Sequence, residues 1–288
     1  MKTDRLLTEA ARRMPQRSQG MISTAELSVE ALRSHLGSSR VGQQLYLFGE
    51  LPSTNDTLRD LARKGAGDGT VVVADEQTAG RGRFDRPWYS PPGVNLHVSV
   101  LFRPAFHPRE AMRFSFIASL ALTDALAELG LSPAIKWPND VLLTGKKVAG
   151  SFVECATRGD EIDFLILGMG VNVNVEVAAL REALGPAGLY ATSIREVAGS
   201  EVDRNMLGAA YLGRLDAWAA RYRSEGAEPI LTAWRDRDIV TGCRIEARGT
   251  ANAVTGRALG VDGLGHLVLQ ISPGHRVTVL SEQIRIVE

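Results

Sequence analysis

At 288 residues, with 44% apolar residues, the chain is long enough to bury a large core and to form two domains. Its 33 Lys and Arg residues balance 33 Asp and Glu residues, so the formal net charge is zero, which disfavours a dedicated nucleic-acid binder. Cys155 and Cys243 form neither a metal motif nor a disulfide framework. The chain has no apolar run of membrane-spanning length and no secretion signal, so we expect a cytoplasmic protein without a membrane partner.

Residues 1–25 are polar and irregular, and they predict a flexible extension. After them, helical and extended patterns alternate. In chain order the patterns predict a helix in LSVEALRSHL with Ser28 as N-cap, a strand in LYLF, a helix in STNDTLRDLARKG and a buried strand in TVVVADE. The first part of the chain therefore predicts helices packed on a sheet.

The middle of the chain is rich in strand patterns. The segment VNLHVSVLF alternates, which places one set of apolar residues on a single face: Val94, Leu96, Val98, Val100 and Phe102. A long helix closed by Gly130 is predicted next, followed by strands in AIKW, DVLL, KVAGSFVECA and FLILGMGVNVN. Residues 203–235 again predict helix, with Trp218 and Trp234 as core anchors.

From about Asp238 the pattern changes to short strands only, in CRIEA, VTGRALGV, HLVLQI, HRVTVLS and IRIV. The dipeptide Asp262-Gly263 is a hairpin-turn signal between two of them. This composition predicts a small, closed or nearly closed β-barrel. The expected organisation is an extension over 1–25, a main domain over 26–237 and the barrel over 238–288.

One loop combines positive charge with glycine. GRGRFDRPWYSPPG, residues 80–93, holds three arginines in a stretch that glycine keeps out of helix and strand. The arginines repel one another unless an anion binds, and glycine N–H groups together with forked guanidinium groups suit a phosphate. The other interpretation is a solvated basic turn. Trp88 favours a site, because it could stack on a base or cover a pocket.

Two further stretches place cations beside strands. In KWPND, Pro138 fixes a turn that carries Lys136, Asn139 and Asp140, which suit a nucleotide site but could equally satisfy backbone groups of the turn. In KVAG, Lys147 opens an apolar strand. Its ammonium group either extends to water or points into a cleft as a fixed positive charge.

Asparagines and hydroxyl residues complete the set of candidates. Asn172 and Asn174 follow a buried strand in GMGVNVN, where they could cap a turn or read an adenine edge. The segment STN, residues 53–55, has a sufficient structural role as a helix N-cap. A catalytic serine–histidine–aspartate set and a Walker-type lysine motif are both missing from the sequence.

Taken together, these segments resemble biotin protein ligases, also called biotin–[acetyl-CoA-carboxylase] ligases. STN, EQTAGRGR followed by Trp, SP and Gly, then KWPND, KVAG and GxGxNxN occur in that family's order and spacing, from about residue 40 to the C-terminus. No single motif is decisive, but five in order are specific. The resemblance implies an α+β fold: a mixed β-sheet with helices packed on it, as in class II synthetases, plus a C-terminal SH3-like barrel.

The resemblance also implies a two-step reaction. Biotin and ATP give biotinyl-5′-AMP and pyrophosphate, and a lysine of a biotin carboxyl carrier protein, an acetyl-CoA carboxylase subunit, then takes the biotinyl group and releases AMP. Mg²⁺ comes with ATP, and no residue is assigned to bind it. The implied catalytic residues are Arg83 and Lys147, which neutralise charge, and Asp140, which orients or deprotonates the carrier lysine.

Other roles follow the family's motifs position by position. The implied biotin-binding residues are Ser53, Thr54, Asn55, Gln77, Arg81, Gly82, Arg83 and Lys147. The implied ATP- and adenylate-binding residues are Arg81, Arg83, Arg86, Trp88, Lys136, Asn139, Lys147 and Asn172.

The sequence departs from the family pattern in the loop and at the front. Asp85 stands where the loop commonly has glycine, and Pro87 is also unusual. Some family members carry an N-terminal winged helix and repress transcription, but the residues before Ser28 lack its pattern of helices. The expectation is a monofunctional ligase without operator binding.

Two alternatives stay open at this point. A lipoate–protein ligase or octanoyl transferase resembles the same architecture, although GRGR with Trp and KWPND speak against it. A non-enzymatic RNA-binding protein could use the arginine segment, although the zero net charge and the lack of interleaved aromatic residues disfavour it. The oligomeric state is also open, because exposed sheet edges in the family often pair into a weak homodimer.

Overall fold

The computed structural model describes residues 26–37, 39–248, 253–280 and 283–287. The predicted flexible extension, residues 1–25, lies outside the described residues. Within these ranges, no helix combines the length and the apolar character needed to cross a membrane.

A seven-stranded mixed sheet forms the centre of the molecule. Its strands, in chain order, are β1 (Leu45–Leu51), β2 (Val71–Gln77), β3 (Leu96–Phe102), β4 (Pro133–Lys136), β5 (Asp140–Leu143), β6 (Lys146–Arg158) and β7 (Glu161–Val171). The spatial order is β1-β2-β3-β7-β6-β5-β4, in which β1 and β2 are parallel and the other neighbours are antiparallel. This is the mixed sheet that the family resemblance implies.

Helices cover the sheet on both faces. They are α1 (Val29–Leu36), α2 (Thr54–Arg63), α3 (Met112–Glu128), α4 (Val177–Leu184), α5 (Ile194–Ala198), α6 (Arg204–Glu225) and α7 (Glu228–Arg235). The larger apolar core joins α1, α3, α6 and α7 to one sheet face. A smaller core joins α2 to the other face through Leu58, Leu61 and Leu101. The sheet is therefore a central layer.

Strand β3 shows why the sheet needs cover on both faces. Of the five residues predicted to share a face, Leu96, Val98, Val100 and Phe102 lie in the larger core, whereas Val94 precedes the strand and packs against a separate small cluster. The intervening residues are buried as well, so all seven positions of β3 are buried. Among them is Ser99, which brings a hydroxyl under α2.

A five-stranded antiparallel sheet follows in the C-terminal part. Its strands are β8 (Arg244–Arg248), β9 (Val254–Val261), β10 (Leu267–Ser272), β11 (His275–Val279) and β12 (Gln283–Ile286), in the order β11-β10-β9-β8-β12. The predicted turn at Asp262-Gly263 joins β9 to β10. This sheet fits the predicted small barrel-like unit.

The C-terminal sheet packs firmly on the rest of the molecule. The Trp137 Nε1 atom donates to the Gly265 carbonyl oxygen over 3.0 Å, and residues of β8 to β11 belong to the same buried cluster as the helices. Packing therefore joins the segments 26–237 and 238–288, and their division into two domains stays a prediction.

The structure confirms most predicted elements and adds some. Ser28 caps α1 by accepting from the Ala31 backbone N–H over 2.9 Å, and Trp234 is fully buried. Trp218 is only partly buried, and its Nε1 donates to Asp124. The short helices α4 and α5 were not predicted: α5 has only five residues, and α4 follows Glu176, whose side chain makes no capping hydrogen bond.

Candidate active site

The predicted site residues converge on one cavity of about 410 Å³. It lies between the N-terminus of α2, the arginine loop, the β4–β5 turn, the ends of β6 and β7, and β12. All fourteen residues that the family motifs implicate line it: Ser53, Thr54, Asn55, Gln77, Arg81, Gly82, Arg83, Arg86, Trp88, Lys136, Asn139, Asp140, Lys147 and Asn172. Residues separated by more than a hundred positions in sequence thus share one wall.

The floor of the cavity is a buried network of uncharged polar groups. The Gln77 Oε1 atom accepts from the Thr54 backbone N–H over 2.9 Å and from the Thr54 hydroxyl over 3.1 Å. The Ser99 Oγ atom lies 2.7 Å from Thr54 Oγ1 and 2.6 Å from Asn55 Oδ1. These contacts fix each side chain before any ligand binds.

The helix-capping explanation of Ser53 is wrong. Ser53 occupies the N-cap position of α2, but its side chain makes no capping hydrogen bond. Gln77, reaching over from the end of β2, accepts from the first N–H of the helix instead. Ser53 is buried, with 4% of the residue exposed, and it lines the cavity.

Lys147 points into the cavity because β6 is irregular. The register with β5 shifts between Val141 and Leu142, and such a bulge re-aims the flanking side chain. The ammonium Nζ lies 2.5 Å from Asp140 Oδ1 and 5.4 Å from the Trp88 ring centre. Of the two interpretations of Lys147, the structure supports the fixed positive charge in a cleft.

Gly150 makes room for that lysine. A β-carbon at Gly150 would lie 3.0 Å from Lys147 Nζ and 3.1 Å from its Cε atom. The lysine stem therefore crosses directly over the glycine backbone. A β-carbon at position 150 would require the end of the Lys147 side chain to shift.

The KWPND turn holds Asn139 between the sheet and the arginine loop. The Asn139 Nδ2 atom donates to the Ser151 carbonyl oxygen over 2.6 Å, and the Asn139 Oδ1 atom accepts from Arg83 Nη1 over 3.2 Å. The Trp137–Pro138 peptide bond is cis. Lys136 ends β4 and lines the same side of the cavity. The turn residues thus satisfy backbone groups and also face the cavity.

The arginine loop is a short hairpin. The Trp88 backbone N–H donates to the Gly80 carbonyl oxygen over 2.9 Å, and that of Gly82 donates to the Arg86 carbonyl oxygen over 2.8 Å. Phe84 and Asp85 form its tip with φ of 58° and 53°. Asp85 therefore does adopt the left-handed conformation where the family commonly has glycine, and Phe84 does too.

Trp88 packs on a glycine of the sheet. A β-carbon at Gly170 would lie 2.5 Å from Trp88 Nε1, so this close approach requires glycine. The Nε1 atom is buried and makes no hydrogen bond within the described residues. The indole ring therefore presents an uncommitted donor beside the cavity, in keeping with its predicted place near a base.

Asn172 and Asn174 are both committed to the backbone. The Asn172 Nδ2 atom donates to the Thr192 carbonyl oxygen over 3.0 Å, and Asn174 exchanges two hydrogen bonds with the Val202 backbone. Only Asn172 lines the cavity. The turn-capping interpretation is thus supported for both, and adenine contact by Asn172 stays a prediction.

The sequence did not predict a series of linked ion pairs that lies beside the floor. Arg81 Nη2 lies 2.7 Å from Asp56 Oδ1, Arg59 Nη1 lies 2.6 Å from the same oxygen, and Arg59 Nη2 lies 2.5 Å from Glu154 Oε1. Burial alone would raise the pKa of Asp56, but hydrogen bonds from Arg81 and Arg59 outweigh it and lower that pKa. The hydrogen bond to Asp56 raises the pKa of Arg81.

A second omission is the C-terminal sheet. Gln283 and Ile284 of β12 line the cavity, and Gln283 Oε1 accepts from Arg86 Nη2 over 2.7 Å. No motif in the sequence signals this contact, because it joins two segments nearly two hundred positions apart.

Comparisons with known proteins agree with this arrangement. The model of the biotin/lipoate A/B protein ligase family matches residues 48–172. The bifunctional ligase/repressor BirA of Bacillus subtilis (strain 168) is 33% identical over 250 residues, which cover 86% of this chain and 76% of the relative. The chain belongs to the biotin protein ligase family.

Other members of the biotin protein ligase family match at similar levels. The biotin–[acetyl-CoA-carboxylase] ligase of Paracoccus denitrificans is 37% identical over 235 residues, covering 80% of this chain and 95% of that protein. The biotin protein ligase from Aquifex aeolicus, solved in complex with biotin and ATP, superposes with a TM-score of 0.71 at 27% identity, covering 85% of this chain and 99% of that one.

Proposed function

We propose that the protein attaches biotin to a specific lysine of a biotin carboxyl carrier protein through biotinyl-5′-AMP. The observation that carries the proposal is the convergence of all fourteen motif residues on one cavity. The Aquifex aeolicus relative, whose structure contains biotin and ATP, and the Paracoccus denitrificans relative, which is named a biotin–[acetyl-CoA-carboxylase] ligase, support it.

The floor suits a small uncharged ring. Ser53, Thr54, Asn55 and Gln77 offer hydroxyl and amide groups, and those of Thr54, Asn55 and Gln77 are already oriented by one another and by Ser99. A ureido ring has N–H donors and a carbonyl acceptor that such groups can pair with. Biotin is thus held with its valeryl carboxylate extending towards the cations.

The first step joins two anions, so it requires positive charge. A biotin carboxylate oxygen attacks the α-phosphorus of ATP, a P–O bond forms, and pyrophosphate leaves with the electron pair of the broken bond. Lys147, Arg81 and Arg83 line the cavity and neutralise the carboxylate and phosphate oxygens. One preorganised donor of this kind is worth about 3 kcal/mol, or roughly a hundredfold in rate.

The second step needs a neutral amine. The carrier lysine nitrogen attacks the acyl carbon of the anhydride, the amide bond forms, and AMP leaves. Asp140 lines the cavity and is positioned to orient this amine and take its proton. The hairpin loop excludes water, which would otherwise hydrolyse the anhydride.

The remaining partners follow from this chemistry. Mg²⁺ enters with ATP and is held by the phosphates; in the described ranges no three histidine, cysteine or carboxylate side chains converge as metal ligands. The carrier is an acetyl-CoA carboxylase subunit, and the cytoplasm is the proposed location.

A single incubation tests the proposal. The protein is mixed with biotin, MgATP and a biotin carboxyl carrier domain, and the carrier is weighed by mass spectrometry. We expect one biotinyl addition that depends on ATP, with no addition when lipoate replaces biotin. Modification by lipoate or octanoate instead would identify the protein as a lipoate–protein ligase or octanoyl transferase. A carrier that stays unmodified with every substrate would overturn the proposed function.

A further inference from the structure

We infer that Asp56 is a positioning residue that anchors Arg81, and through it the hairpin loop Gly80–Trp88, to the first turn of helix α2. The inference rests on the proposed function, because it assigns Asp56 the task of keeping the loop over biotinyl-5′-AMP. Asp56 itself does not line the cavity, so it acts through Arg81.

The geometry joins the loop to the floor without a break. The Asp56 Oδ1 atom accepts hydrogen bonds from Arg81 Nη2 of the loop over 2.7 Å and from Arg59 Nη1 of α2 over 2.6 Å. Arg59 also donates to Glu154 on β6, whose second oxygen accepts from Asn55 Nδ2 over 2.6 Å. Arg81 at one end and Asn55 at the other both line the cavity. The position of the loop is thereby tied to the orientation of a floor amide.

A carboxylate is well suited to this place. Asp56 is the third residue of α2, where the positive end of the helix dipole stabilises a negative charge. Its contact occupies one of the five guanidinium donors of Arg81, so others stay available to a ligand anion. Asp56 therefore holds Arg81 in place without using up its capacity to bind phosphate or carboxylate oxygens.

Helix α2 carries a second ion pair that can be compared with the Asp56–Arg81 pair. Asp60 and Arg63 form a pair 3.9 Å apart, with side chains that are 68% and 66% exposed. Asp56 and Arg81 are 2.7 Å apart and about half as exposed, at 34% and 36%. An exposed ion pair contributes little, whereas the Asp56 pair is embedded in a network and partly shielded from solvent. Removing the Asp56 carboxylate should therefore loosen the loop, whereas removing the Asp60 carboxylate should not.

The first experiment measures how long the intermediate stays bound. Enzyme preloaded with biotin and MgATP is diluted, and release of radiolabelled biotinyl-5′-AMP is followed. We expect release to accelerate about fivefold in Asp56→Ala, less in the isosteric Asp56→Asn, and not at all in Asp60→Ala. In an Arg81→Ala background, Asp56→Ala should add nothing, because its effect passes through that guanidinium group.

The second experiment needs no ligand, so it separates this inference from the proposed function. Trypsin cleaves after arginine except before proline, so the loop offers cleavage sites after Arg81 and Arg83. We expect Asp56→Ala and Asp56→Asn to be cut in the loop faster than the parent protein and Asp60→Ala.

Three results would overturn the inference: unchanged loop cleavage in both Asp56 variants, unchanged or slower release of the intermediate from Asp56→Ala, or an added effect of Asp56→Ala when Arg81 is already absent. If the parent protein makes no biotinyl-5′-AMP but the Asp56 variants still loosen the loop, the proposed function fails and the anchor stands.

Discussion

The cavity floor and the arginine loop hold their side chains by different means. On the floor, Thr54, Asn55 and Ser99 are buried to at least 95% and linked by hydrogen bonds. In the loop, Arg81 and Arg86 are exposed residues whose contacts go to Asp56 and Gln283 on other elements. The floor is fixed by burial, and the loop is fixed by charge and polar contacts at its sides.

This difference matches two kinds of ligand group. A buried, fully paired floor costs no reorganisation when a neutral ring binds, which favours recognition of shape and hydrogen bonds. In the loop, the contact with Asp56 occupies one guanidinium donor of Arg81, so the same side chain can also bind phosphate or carboxylate oxygens. The floor should therefore set affinity for biotin, and the loop and its neighbouring cations should set the chemistry and the retention of the intermediate.

The largest effect is expected at Lys147. Lys147→Ala should lower pyrophosphate release with biotin and ATP by about a hundredfold or more, because a preorganised cation is lost from the reacting centre. Lys146→Ala is the matched control, because Lys146 directly precedes Lys147 in β6 but does not line the cavity. Near-normal pyrophosphate release from Lys147→Ala would reject the assignment.

A smaller effect is expected at Arg83. Arg83→Ala should release biotinyl-5′-AMP about tenfold or more faster, because hydrogen bonds from a charged donor to the phosphate are lost. The exposed Arg109, outside the cavity, provides the control variant Arg109→Ala. Intermediate release at the parent rate would remove Arg83 from the retention role and weaken the distinction between loop and floor.

The floor can be perturbed without replacing a charged residue. A β-carbon at Gly168 would lie 2.4 Å from Asn55 Oδ1, so Gly168→Ala must displace that amide. We expect biotin affinity, measured by calorimetry without ATP, to fall about tenfold, the cost of a lost buried hydrogen bond. Gly213→Ala on α6 is the control, because its β-carbon meets no atom within 4 Å. Equal biotin affinities in both variants would contradict the role of the floor.

The smallest effect concerns stability and the buried His97 beside the floor. Burial, with a contribution from nearby Arg204, lowers the pKa of His97 from 6.5 to about 3. Between these values the unfolded chain binds one proton more than the folded protein, so the free energy of unfolding falls as the pH is lowered through this window.

The melting temperature of the parent protein should therefore drop relative to His97→Leu by about 3 °C per pH unit below pH 6.5. Parallel melting curves of the two proteins across the window would show that His97 does not carry this dependence.

The sequence was sufficient for most of the elements and for the motif residues of the cavity. Helix α1 is specified locally, since Ser28 both precedes it and caps it. The cavity residues could be identified because most of the motifs carry a glycine, proline or lysine of their own, as at Gly80 and Lys147. Local signals of this kind can be recognised in the sequence even when the distant contacts are unknown.

What could not be predicted depends on distant pairs. The capping of α2 by Gln77, the contact of Ser99 with Asn55, and the link between Asp56 and Arg81 all join separate elements. Local sequence preferences describe a residue and its near neighbours, so they predicted that the Ser53 side chain caps α2. In the structure the Gln77 side chain accepts that hydrogen bond instead. The serine in an otherwise apolar strand, Ser99, was the one available signal, because a hydroxyl in a buried strand needs a partner.

Strand β12 has a consequence for how the enzyme matures. Gln283 and Ile284 complete a wall whose other members begin at Ser53. During synthesis the large sheet can assemble from its own strands while this wall is still missing. A translation product that ends before Gln283 lacks this wall, so we expect it to be folded in part and yet inactive.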